Sequence, residues 1–77
     1  MIFDISRIER TTYGRFICSA KASSKNEAED FVARFLASVR STYPLCELYT
    51  RGTSVLVDSP NRNLTIQIAK HLNNSQL

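Results

Sequence analysis

The sequence predicts an α+β domain of order β-β-α-β-β-α, with a four-stranded antiparallel sheet and both helices on one face. Three observations carry this. Residues 24–43 repeat apolar side chains at the helical period, residues 15–22 and 45–51 alternate at the strand period, and Gly14, Pro44, Gly52 and Pro60 punctuate the chain between them. The 77 residues suffice for one domain with one small core, spanning 1–77 and ending in a frayed tail at 73–77.

Residues 2–10 carry two registers. Phe3 and Ile5 suit one face of a strand, Ile2 and Ile8 the other, and a bulge between Ile5 and Ile8 reconciles them. A short helical turn through Ile2, Ile5 and Ile8 is the alternative, and a strand is favoured. Thr11–Gly14 reads as a hairpin connection, with Gly14 supplying a positive φ. In residues 15–22, Phe16, Cys18, Ala20 and Ala22 face one side, and Arg15, Ile17, Ser19 and Lys21 the other.

The first helix follows. Ala28, Phe31, Val32, Phe35, Leu36 and Val39 form an unbroken stripe. Ser24 and Glu27 have capping-box spacing, acids occupy the first turns, Arg40 sits in the last, and Pro44 stops the helix. Residues 45–51 set Cys46, Leu48 and Thr50 against Leu45, Glu47, Tyr49 and Arg51. Gly52 then turns the chain into a β-branched strand, 53–59, with Val55 and Val57 on one face. Ser59 reads as the N-cap of the second helix and Pro60 as its first residue. Leu64, Ile68 and Leu72 form its stripe, with Lys70 and His71 near its end.

About seventeen side chains are plausible core, each large one giving roughly 1.5–3 kcal/mol on burial. They are Phe3, Ile5, Phe16, Cys18, Ala20, Phe31, Val32, Phe35, Leu36, Val39, Cys46, Leu48, Val55, Val57, Leu64, Ile68 and Leu72. Ordering the chain costs a comparable sum, so little apolar surface is left to line a ligand cavity. That points to action through a surface. No apolar run approaches the ~20 residues of a membrane span. The start, MIFDISRIER, lacks the apolar region of a signal peptide. Both features predict a cytoplasmic chain.

Little points to catalysis. The single His71 lies on an ordinary amphipathic helix, the acids Asp4, Glu9, Glu47 and Asp58 are scattered, and two glycines cannot build a phosphate loop. No enzyme activity and no cofactor are expected. Cys18 and Cys46 lack metal-ligand spacing, one histidine cannot complete a zinc site, and two buried free thiols are the expectation. A disulfide requires neighbouring strands and runs against the expected compartment.

The net charge is +3, and seven of the ten bases are arginine. This suits phosphate or carboxylate contacts and protein interfaces alike. The expected binding surface is the sheet face opposite the helices, where Arg15, Lys21, Tyr49 and Arg51 point outward. Arg7 and Arg10 join them from the first strand and Tyr13 from the hairpin tip. Ile17, Leu45 and Leu56 are expected there too, as apolar groups that something covers. Bases interleaved with aromatics on an open sheet can stack and pair with single-stranded nucleic acid. Tyr and Arg also dominate protein interfaces, and an exposed sheet edge allows a homodimer.

From about Phe31 to Leu72 the layout resembles the DinI-like family, DNA-damage-inducible regulators of RecA. The shared features are an amphipathic helix ending at Tyr43-Pro44, two short strands, LCELYTR and TSVLV, and a final helix. That family's last helix is strongly acidic. Residues 60–77 here contain no Asp or Glu and carry Arg62, Lys70 and His71, so a DNA-mimicking helix is not carried over. In size and style the chain also resembles the small proteins of phages and mobile elements, anti-CRISPR inhibitors among them. That resemblance implies a non-enzymatic inhibitor or regulator of a host protein or ribonucleoprotein complex. Direct nucleic-acid binding and a dimeric assembly protein are the alternatives.

Overall fold

The structure is a computed structural model that describes residues 1–76. The elements are β1 (Glu9–Arg10), β2 (Phe16–Lys21), α1 (Lys25–Thr42), β3 (Glu47–Arg51), β4 (Ser54–Ser59) and α2 (Arg62–Asn74). The strands form one antiparallel sheet in the spatial order β1-β2-β4-β3, so the class and order expected from the sequence hold.

Both helices cover one face. Register places Cys18 beside Val57 and Ala20 beside Val55, with Leu48 beside Val57 on the far side. All are buried and share one core with Phe31 and Val39 of α1 and Ile68 and Leu72 of α2. α1 lies over β3 and β4, and α2 over β2 and β4. The small Cys18 and Ala20 at the centre of β2 let backbones approach closely.

α1 begins at its expected cap, the Ser24 hydroxyl accepting from the Glu27 amide at 3.1 Å, but the reciprocal half of the capping box is replaced: the Glu27 carboxylate accepts from the Ser23 hydroxyl. α2 does not begin where expected. Its N-cap is Asn61, whose side chain accepts from the Leu64 amide at 2.7 Å. Ser59 instead ends β4, fully buried. Its hydroxyl lies 2.6 Å from both the Asn61 carbonyl and the Thr65 hydroxyl, and its one proton serves one of them at a time. Pro60 belongs to the link between the two.

The first strand is shorter than expected. Asp4 meets β2, its amide donating to the Ser19 carbonyl at 3.3 Å, but the chain then turns away. The Asp4 carboxylate accepts from the Ser6 amide and hydroxyl, and the Arg7 amide donates to the Asp4 carbonyl. This side-chain turn interrupts pairing until Glu9. The interruption falls where the two apolar registers conflict.

The C-terminal boundary also moves. α2 continues to Asn74, and Asn73 is an anchor rather than part of a frayed tail. Its side-chain carbonyl accepts from the Phe3 amide at 2.8 Å, and its amide donates to the Phe3 carbonyl at 3.0 Å. One amide thus does for Phe3 what a neighbouring strand would do. The Phe3 ring is buried against Phe31, centroids 5.8 Å apart. Asn73→Ala is expected to lower the unfolding free energy by about 1–3 kcal/mol, because two partly buried backbone groups lose their partners. Urea denaturation checks this, and an unchanged midpoint would remove Asn73 from the anchor.

Candidate functional site

The face without helices is built by alternation. Side chains one residue out of phase with the core point to it, and the register stacks them in rows across β2, β4 and β3. The rows are Ile17–Asp58–Glu47, Ser19–Leu56–Tyr49 and Lys21–Ser54–Arg51, with Glu9 of β1 beside Ile17. Arg15 precedes Ile17 at the end of β2 and reaches back over Asp58.

The Arg15–Asp58 pair organises one end. Arg15 Nε donates to Asp58 Oδ1 at 2.5 Å, and its Nη2 donates to the Leu45 carbonyl at 3.1 Å. Arg15 is thereby tied to β4 and to the turn before β3. The Tyr49 hydroxyl reaches Asp58 Oδ2 at 3.4 Å. Burial first, and then the Asp58 charge, push the Tyr49 phenol above its ordinary value near 10.

The expected binding residues do not all gather here. Arg15, Lys21, Tyr49 and Arg51 lie on the open face as expected. Arg10 does not: it pairs with Phe16, so its side chain lies on the helix side, its guanidinium 5.9 Å from the Phe16 ring centroid. Arg7 is not on a strand; it sits in the Asp4 turn, exposed, with Nε 3.7 Å from the Asp4 carboxylate. Tyr13 stands at the hairpin tip, 92 % exposed, and Leu45 is 71 % exposed near Arg15. Leu56, expected as an exposed apolar group, is only 6 % exposed, although no helix covers it.

Glu9 and Asp58 are the members that sequence reasoning missed. The signal for Asp58 was present, because assigning Val55 and Val57 to the core sends Leu56 and Asp58 to the other face. With them counted, the face holds three bases (Arg15, Lys21, Arg51) against three acids (Glu9, Glu47, Asp58). The charges are also sorted. Lys21 and Arg51 flank the β3–β4 turn, while the acids gather at the opposite end around Arg15.

Cys18 and Cys46 are free and buried. They lie on β2 and at the start of β3, with β4 between those strands, so a disulfide is not available to them. Burial pushes the Cys18 thiol up to about 11, and raises that of Cys46 as well. Among the described residues no group of three or more His, Cys, Asp or Glu is placed to hold a metal ion, and no helix is long and apolar enough to cross a membrane. A groove of about 450 Å³ does exist on the helix side, where little room was expected. It runs between the start of α1 and the chain termini, lined mainly by polar side chains including Glu27, Asp30 and Arg34.

Comparison with protein-family models, curated proteins and solved structures returned no match, so the functional reading rests on this chain's own residues.

Two sets of outcomes are expected of this geometry. Arg15→Ala should cost about 1–3 kcal/mol, since it strips a mostly buried carboxylate of its charged donor, and Asp58→Asn should lower the Tyr49 pKa, read from tyrosinate absorbance. The folded chain holds the Tyr49 proton more tightly than the unfolded chain. The stability from this group is therefore complete below about pH 10 and is lost as pH rises through the raised folded value. The second set concerns the thiols. Both should resist Ellman's reagent in the folded chain and react at the rate of unfolding, because the thiolate is the reactive form.

Proposed function

We propose that this chain is a non-enzymatic binding domain that regulates or inhibits a partner protein complex by seating its open sheet face on it. The observation that supports this best is the charge balance of that face. A polyanion would meet three acids for three bases, and its strongest expected contact, Arg15, is already engaged by Asp58. A protein surface with its own mixed charges meets no such penalty. Tyr49 at the centre, with exposed Leu45 and Tyr13 beside the Arg15 end, gives the face the aromatic and apolar character of interface anchors. The resemblance in size and layout to phage and mobile-element regulators favours a host nucleic-acid-handling complex as the target, met in the cytoplasm.

A titration with fluorescent single- and double-stranded DNA and RNA at about 50 and 200 mM salt tests the reading, because phosphate contacts give a log–log slope near −0.7 each on single strands. No tight binding at the lower salt is expected. Micromolar binding that collapses at the higher salt, and is lost in Lys21→Ala/Arg51→Ala, would replace the proposal with direct nucleic-acid recognition. Capture of a host complex by the wild type, lost in Tyr49→Ala with its fold intact, is the positive outcome.

A further inference from the structure

On the open face Asp58 is matched by Arg15. Four further charges are not matched. Among the described residues no ion pair involves Glu9, Lys21, Glu47 or Arg51, and all four residues are exposed. Glu9 and Glu47 stand at the Arg15 end of the sheet, and Lys21 and Arg51 at the β3–β4 turn. Glu47 and Arg51 lie four residues apart on one strand, about 13 Å, too far to meet. Between the two ends runs the row Ser19–Leu56–Tyr49, which carries no charge.

This pattern is complementary to itself. Two sheets packed face to face lie about 10 Å apart, with strand directions within about 30° of each other. A two-fold axis along the central row reverses the strands of one copy over those of the other. It carries Glu47 of each chain over Arg51 of the other. It also carries Lys21 over Ile17, whose neighbour on β1 is Glu9. Each of the four charges thereby meets an opposite one, and each contact occurs twice. Side chains of this length take up the offset that the crossing angle introduces. The Lys21 stem lies along Ile17 while its ammonium reaches Glu9. Ser19, Leu56 and Tyr49 meet their own counterparts at the axis, where the tyrosine rings pack offset or edge to face. Other arrangements fail on charge. An axis along the strands sets Arg51 over Lys21. An axis on either outer row sets Glu47 over Glu47 or Arg51 over Arg51. Like-charge contacts thus exclude the alternatives, and one arrangement remains.

We infer that a second copy of this chain packs on the open sheet face, strands reversed, about a two-fold axis along the row Ser19–Leu56–Tyr49. The pairing rests on the charge pattern of the face. It covers the surface that the function proposed above gives to a partner, so the dimer is the masked state of that site, populated at high concentration. Only this masking role rests on that reading.

The test is sedimentation and light scattering of the full chain over about 10 µM to 1 mM, at about 50 and 200 mM salt, the range suited to a small charged interface. A monomer–dimer equilibrium is expected, with a Kd that rises several-fold at the higher salt. Ser19→Arg places a long charged side chain at the axis, and Lys21→Glu sets an acid against Glu9 twice. Each should raise the dimer Kd about tenfold or more. The double swap Glu9→Lys/Lys21→Glu should restore it. Circular dichroism separates lost pairing from lost fold. Glu9→Lys stands in for a single variant that unfolds, and Glu47→Arg/Arg51→Glu for the swap. A monomer throughout the range overturns the inference. So does a dimer indifferent to salt or to Ser19→Arg, or one that the double swap fails to restore. Capture of a host complex is not read in this experiment, so failure of the proposed function leaves its outcome unchanged.

Discussion

Six residue pairs, from Phe16–Ser59 to Lys21–Ser54, zip β2 to β4 and join the two ββα halves of the chain. Each hairpin alone would be marginal in water. Together they make a four-stranded surface whose centre, Cys18, Ala20, Val55 and Val57, is fully covered by helices. The ladder also dictates where the helices lie. α1 leaves the central strand β2 and must deliver the chain to the outer strand β3, so it crosses over β4 and β3. α2 leaves β4 and fills the remaining place over β2. The two ends of the ladder are tied as well. At one, Thr65 donates to the Phe16 carbonyl and bonds Ser59; at the other, the Ala22 amide donates to the Thr53 carbonyl at 2.8 Å. Every buried side-chain polar atom among the described residues has a partner, as a core this small requires.

What was legible in the sequence was whatever depends on neighbours along the chain. The α1 cap and stripe, the alternation of β2 and β3, the positive φ of Gly14 and the turn at Gly52 are local facts, and all hold. The errors arose where a residue's role is set by a distant one. Ser59 has the chemistry of an N-cap, but Thr65 claims its hydroxyl from across the β4–α2 junction, and the cap passes to Asn61. Asn73 looked like tail composition because its partner, Phe3, lies at the other end of the chain. Arg10 was assigned to the open face although the bulge that brings Ile8 to the core face brings Arg10, two residues on, with it. The Asp4 turn resets the phase, and Arg10 emerges on the Phe16 side. No windowed periodicity contains these facts. The strand order, too, depends on which hairpin edges meet.

The limited core explains why the proposed binding surface takes this form. Nearly every large apolar side chain of the helices and of the inner sheet face is committed to one cluster, and α1 and α2 keep polar side chains outward. Leu56 is the exception that shapes the other face. It lies on the uncovered side at 6 % exposure, in the same row as Ser19 and Tyr49. A leucine shielded there gives the face a dry centre beneath amphipathic side chains, where Tyr49 presents a ring and a bonded hydroxyl. Such a centre suits a partner that displaces water, and it suits poorly a solvated phosphate backbone.

Charge placement carries the argument one step further. Seven arginines in a chain of net charge +3 suit a polyanion or a protein partner alike when counted without geometry. In the fold, Asp58 holds Arg15 and Phe16 lies under Arg10, so two of the bases expected at the site are engaged within the chain, and Arg7 sits off the face in the Asp4 turn. Lys21 and Arg51 remain together at the β3–β4 turn, with Glu47 alone at the far end of the same strand. A field sorted in this way, positive at one end and negative at the other with no net charge between, orients an approaching surface more than it attracts one. Orientation of that kind suits the recognition of a structured protein face proposed above.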